Sequence, residues 1–142
     1  MSLATDLVAY ILADAGIAAE IGDKIYPRRA PKSASGKYAV YNRVSAINGH
    51  ELIGKALDCT GAIYQFDFWA DEPGDVEAVA EAFRAAFDGL RGLVGSTEIR
   101  RVWLQDERDD LEDLDNADEE GKERITHDYE VIYMRSVPTP TP

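Results

Sequence analysis

Apolar residues recur at three- and four-residue spacing through Ala4, Leu7, Val8, Ile11, Leu12 and Ala15, laying one apolar stripe along an N-terminal helix. Thr5 or Ser2 stands where a cap would start it, and Gly16 where it would stop. A short further turn around Ile17 to Ile21 ends at Gly22-Asp23. Lys24-Ile25-Tyr26 then reads as a brief extended piece halted by Pro27, and Pro31 to Gly36 as a loop.

The period next falls to two. Residues 38–44 alternate and are rich in Tyr and Val; in 62–70, Tyr64, Phe66 and Phe68 share a face opposite Gln65, Asp67 and Trp69. The stretch between them, 46–61, holds Asn48-Gly49 and Gly54, and is expected to be a long hairpin connection whose middle leaves the sheet. Helical spacing returns after Gly74-Asp75. Val76, Val79, Ala80, Phe83, Ala86, Phe87 and Leu90 fall on one side, with Glu77, Glu81, Arg84 and Asp88 on the other. Gly89, Gly92 and Gly95 loosen the exit. Two further strands are expected at 98–105 and 124–135, the second placing Ile125, His127, Tyr129, Val131 and Tyr133 together. These elements predict an α+β fold: an antiparallel sheet of about four strands, two main helices packed on one face, and a long acidic loop before the last strand. Residues 1–136 form one domain in this reading, and the Pro/Thr-rich 137–142 a stiff extended tail.

Composition narrows the function. A chain of 142 residues is long enough for one self-sufficient core. The balance of 15 basic against 27 acidic residues, −12 overall, works against phosphate neutralisation, so no specific nucleic-acid partner is expected. Cys59 is the single cysteine, which excludes an intrachain disulfide and a cysteine-based zinc site and fits a reducing compartment. The N-terminal apolar stretch carries Asp6 and Asp14 and has no basic flank, so neither a signal peptide nor a membrane anchor is expected.

Much of the acidity is local. Residues 106–120 hold ten acids against Arg108 alone. Asp113, Asp115 and Asp118 offer hard oxygen ligands, but Ala117 and Asp118 stand where a calcium loop needs Asn or Asp and then Gly. The acids Asp109, Asp110, Glu112, Asp113, Asp115, Asp118, Glu119 and Glu120 are therefore read as a solvated, self-repelling loop, not a metal site. The glycines after the long helix follow a helix and lack the phosphate-binding lysine, His50-Glu51 lacks a second histidine, and no GxSxG elbow occurs. Both histidines read as structural. No catalytic residue, metal or cofactor is expected, and the chain does not read as an enzyme.

The segment from Gly22 to Pro31, GDKIYPRRAP, concentrates cations in an acidic chain. It reads either as a basic patch for phosphates or as a stiffened connection whose charges meet a protein. Trp69 and Trp103 fall on the sheet face opposite the core, to be covered by a partner or sheltered by sheet curvature, loops or the tail.

The order of these features, from IGDKIYPRRAPKSASGKYAVYNRVS through QFDFWAD, the amphipathic helix and LQDERDD to DYEVIYMR, resembles the phage tail-completion (tail-terminator) family over residues 3 to 135. The acidic segment is longer than the family pattern. The resemblance implies a structural virion protein, assembled in the host bacterial cytoplasm, that forms a ring, commonly a homohexamer, at the head-proximal end of the tail. It implies three partners: further copies of itself, the tail tube protein and the head-tail connector protein. In that setting Tyr26, Arg28, Arg29, Arg43, Trp69 and Trp103 become candidate subunit or tube contacts, and the acidic loop a channel-facing or rim element. The alternatives are a monomeric cytoplasmic binding module and a metal-dependent protein using the acid cluster.

Overall fold

The computed structural model describes the backbone of residues 3–50, 56–110 and 123–134, and side chains over 3–45, 60–109 and 123–134. Among the described residues there are three helices and six strands: α1 (Leu3–Ala13), α2 (Ala15–Ile21), β1 (Ile25–Pro27), β2 (Tyr38–His50), β3 (Ala56–Ala70), α3 (Pro73–Phe87), β4 (Gly92–Val94), β5 (Thr97–Asp110) and β6 (Glu123–Met134). The strands form one sheet in the order β1-β2-β3-β6-β5-β4. The α+β class is as expected, but the sheet is larger and mixed: β1 lies parallel to β2, while every other pair is antiparallel.

Alternation places Ala39, Tyr64, Phe66, Phe68, Val102, Tyr129 and Val131 in the core. The apolar side of α3 covers them. Phe83 sits 4.6 Å from Phe68 and 5.4 Å from Phe66 between ring centres, and Phe87 lies 5.6 Å from Tyr129. Pro73 opens α3 at a position whose N–H has no helical partner, and Asp75 and Arg84 complement the helix dipole at either end.

Several boundaries differ from the sequence reading. In α1 the buried residues are Leu3, Asp6, Leu7 and Ile11, whereas Leu12 is exposed. The helix is rolled so that Asp6 faces inward, which an apolar count does not register. Gly16 does not stop α1 but lies within α2; the break is at Asp14, whose Oδ1 accepts the Ile17 N–H at 2.9 Å. β2 and β3 together run through most of the expected 46–61 connection, because antiparallel pairing continues from Ala46↔Ala62 to His50↔Ala56 past a register shift between Asn48 and His50. β4 pairs with β5 through the glycines that looked like a loose exit. β5 runs on to Asp110, so the acidic stretch begins as strand and not as loop. Ser2, Gly54 and the 137–142 tail lie outside the described residues.

Candidate functional site

The GDKIYPRRAP segment forms one edge of the sheet. Gly22, at φ 62°, closes α2 by donating its N–H to Ala18, and β1 follows at once. Pro27 lacks an N–H and is tolerated because β1 is the edge strand. Arg28 then donates its N–H to the Tyr41 carbonyl at 2.9 Å while adopting φ 66°, and Arg29 bonds back to Pro27 at 2.7 Å. Among the described residues Arg28 is the one non-glycine at positive φ, a conformation that costs an L-residue roughly 1–2 kcal/mol. Arg28, Arg29, Pro31 and Lys32 are exposed, and the three cations have no ion pair among the described residues. Lys24 and Lys37 are instead tied down, to the Ser35 carbonyl at 3.2 Å and to Glu20 at 3.1 Å. Arg43 stands exposed on β2, two residues beyond the Tyr41 carbonyl that holds Arg28.

Tyr26 begins a row of aromatic contacts across the sheet face opposite α3. It meets Tyr38 edge-on at 6.1 Å, Tyr38 stacks on Trp69 at 6.2 Å, and the Arg124 guanidinium lies 5.2 Å from the Trp69 ring. Trp103 donates Nε1–H to Glu130 at 2.8 Å beneath Arg101, 4.4 Å from its ring. Both tryptophans are half-buried, and among the described residues cations and sheet neighbours are laid against them.

The far side of the sheet is acidic. Arg108 pairs with Asp106 and, at 2.9 Å, with Asp128, and these carboxylates hold its own pKa above the ordinary arginine value. Thr126 donates to Asp67 at 2.6 Å on the same face. On the opposite face, Glu107 approaches the buried His127 Nε2 at 2.6 Å, and His127 Nδ1 lies 3.0 Å from the Tyr129 hydroxyl. A carboxylate only accepts, so Nε2 carries the proton and Nδ1 accepts from Tyr129. Burial lowers the His127 pKa and outweighs the opposing pull of Glu107, Glu81 and Asp128. His127 is thereby structural, as its place in the strand alternation predicts.

A cavity of about 320 Å³ opens between the start of α3 and the joined ends of β5 and β6. Pro73, Val76, Glu77, Asp109, Glu123, Arg124 and Ile125 line it. Among the described residues, Glu77, Asp109 and Glu123 have no ion-pair or hydrogen-bond partner, and no group of three or more His, Cys, Asp or Glu is placed to hold a metal. No described helix is long and apolar enough to cross a membrane.

The family described as "Tail completion protein gp17" matches residues 5–133, most of the chain. The chain belongs to that family. It is therefore a structural protein of the virion tail, in a family whose members are not typically enzymes. Among solved structures, a chain of the "Virion of native gene transfer agent (GTA) particle" shares its fold, with a TM-score of 0.75 and 17% identity over 94% of this chain and 95% of that one. No curated protein matches the sequence.

For this tail completion protein the sequence-derived candidates fall into separate places. Tyr26, Arg28 and Arg29 share the β1 edge with Arg43 beside them; Trp69 and Trp103 occupy the sheet face opposite α3. Asp109 reaches the cavity, while the Asp110 side chain and all of Glu112, Asp113, Asp115, Asp118, Glu119 and Glu120 lie outside the described residues. The cavity carboxylates Glu77 and Glu123 were not singled out by sequence reasoning. One sits on the polar side of α3 and the other at a strand start, so nothing in sequence order joins them to Asp109.

Proposed function

We propose that this tail completion protein is a ring-forming terminator: copies close into a ring, commonly six-membered in the family it resembles, cap the tail tube and offer the head-side connector a docking surface. The family match over residues 5–133 is the observation that carries this reading. The fold supports it physically. A ring needs two unlike patches on each subunit, and this sheet has a basic β1 edge on one side and acidic ground at the Asp109 end of β5, four strands across. The turn at Arg28, flanked by Pro27 and Pro31, fixes the backbone that offers two arginines to carboxylates of a neighbour or of the tube, so little backbone freedom is lost on contact.

Substituting Arg28→Ala and Arg29→Ala together tests the assignment. The double variant should keep its far-UV circular dichroism and thermal midpoint yet lose ring formation, or lose tube binding at least tenfold. Unchanged assembly and unchanged tube binding would remove the segment from the contact surface.

A further inference from the structure

The basic edge has a counterpart on the same molecule that it cannot reach. We propose that Arg28 and Arg29 of one copy dock at the acidic cavity of the next copy, bounded by Glu77, Asp109 and Glu123, and that this head-to-tail contact is the repeated joint of the ring. The proposal rests on the ring reading above and names the surfaces that meet.

Placement is the first argument. Going across the sheet, β1 is followed by β2, β3, β6 and β5, so the cations and Asp109 are separated by four strand spacings, roughly 19 Å along the sheet. No residue of the basic segment lines the cavity of its own chain. Each patch is thus available to another copy.

Height along the strands is the second. The Arg28 N–H bonds Tyr41; Tyr41 pairs with Phe66, Phe66 with His127, and His127 with Glu107. Asp109 and Ile125, which line the cavity, pair with each other two residues farther on, an offset of roughly 7 Å. Two complementary patches four strand spacings apart and nearly the same height add copies sideways with little climb. That arrangement favours a closed ring over an open helix.

Charge is the third. Among the described residues the exposed Arg28, Arg29 and Lys32 have no ion pair, and neither do the three cavity carboxylates, which outnumber Arg124, the one cation of the lining. Three other cations are paired within the chain, at Lys37–Glu20, Arg84–Glu81 and Arg108–Asp128. Contact between copies completes both unmatched sets. Arginine suits the acceptor, because its planar fork meets carboxylates with two parallel hydrogen bonds. The apolar floor of Val76 and Ile125 takes the methylene stem.

The test exchanges charge between the two patches. One variant carries Arg28→Asp and Arg29→Asp, aspartate being chosen because it tolerates the left-handed backbone at Arg28; the other carries Glu77→Lys and Glu123→Lys. At a concentration where the unmodified chain forms rings, native mass spectrometry should find each variant single. An equimolar mixture should recover rings with the two variants alternating, since each supplies the patch the other now needs. Recovery also shows that both variants fold. Rings from either variant alone, or a mixture that stays single, would overturn the pairing and leave the ring reading standing. An unmodified chain that stays single even with tube ends present would bring down both. Independently of any variant, raising NaCl from roughly 0.05 to 1 M should dissociate the unmodified ring as the joint is screened; a mass that does not change with salt would contradict a charge-built joint.

Discussion

Asp6 shows how much one buried side chain decides. It is shut off from solvent in α1, and its Oδ2 accepts from the Thr97 hydroxyl at 2.5 Å and the Ser96 hydroxyl at 3.2 Å, pinning the helix to the turn between β4 and β5. The Thr97 hydrogen bond, against the opposing effect of burial, leaves its pKa below the usual carboxylate range. Gly95 makes the pin possible: it turns at φ 58°, and a Cβ there would lie 2.3 Å from Asp6 Oδ1. Gly95→Ala should therefore destabilise the fold by at least about 1–2 kcal/mol from backbone conformation alone, with the collision added, as read by urea unfolding. His127 and Asp6 give stability two acid-side steps of the same sign. Both pKa values are depressed by folding, so each contribution is complete above the unfolded value and disappears as pH falls through the folded one. The histidine step begins near its ordinary value of 6.5 and the aspartate step below 3.8. Urea midpoints taken from pH 7.5 down to 5 should decline, and His127→Gln should flatten that decline; a wild-type midpoint constant over this range would contradict the buried, neutral histidine.

At the level of elements, legibility followed how well burial tracks apolarity. α3 was readable because Val76, Val79, Ala80, Phe83 and Phe87 are both apolar and buried, and their spacing admits one helix face. Phe83→Ala should cost about 3–5 kcal/mol, since its ring is fully buried against Phe66 and Phe68. Loss of less than about 1 kcal/mol in a denaturant titration would place that ring outside the core. β6 was readable for the same reason as α3. The end of β5 was not: Asp106 to Asp110 read as solvated loop, and what makes them strand is cross-strand chemistry, with Glu107 on His127 and Arg108 on Asp128, partners twenty residues away. α1 was read with its stripe turned because its inward face includes a carboxylate. β1 and β4 are three residues each, too short for any period to appear, and their pairing is set by neighbouring strands. The parallel hand of β1 follows from the 28–37 connection carrying the chain back to the start of β2, and no local pattern encodes that.

The candidate site was legible in half. The cations of the β1 edge stand together in sequence, so composition exposes them; the carboxylates facing the cavity come from α3, β5 and β6 and meet only after folding. For the whole molecule, these two halves turn an acidic chain of −12 net charge into a subunit with unlike edges. In the proposed joint such a subunit is self-complementary without being symmetric, which is what a ring requires and a two-fold dimer does not. The central claim is that this ring ends tube growth. The most direct measurement is the length of tubes polymerised from the tail tube protein with and without this chain, imaged by negative-stain electron microscopy. The account predicts shorter tubes with ring density on one end in its presence; tubes of unchanged length with two bare ends would contradict it.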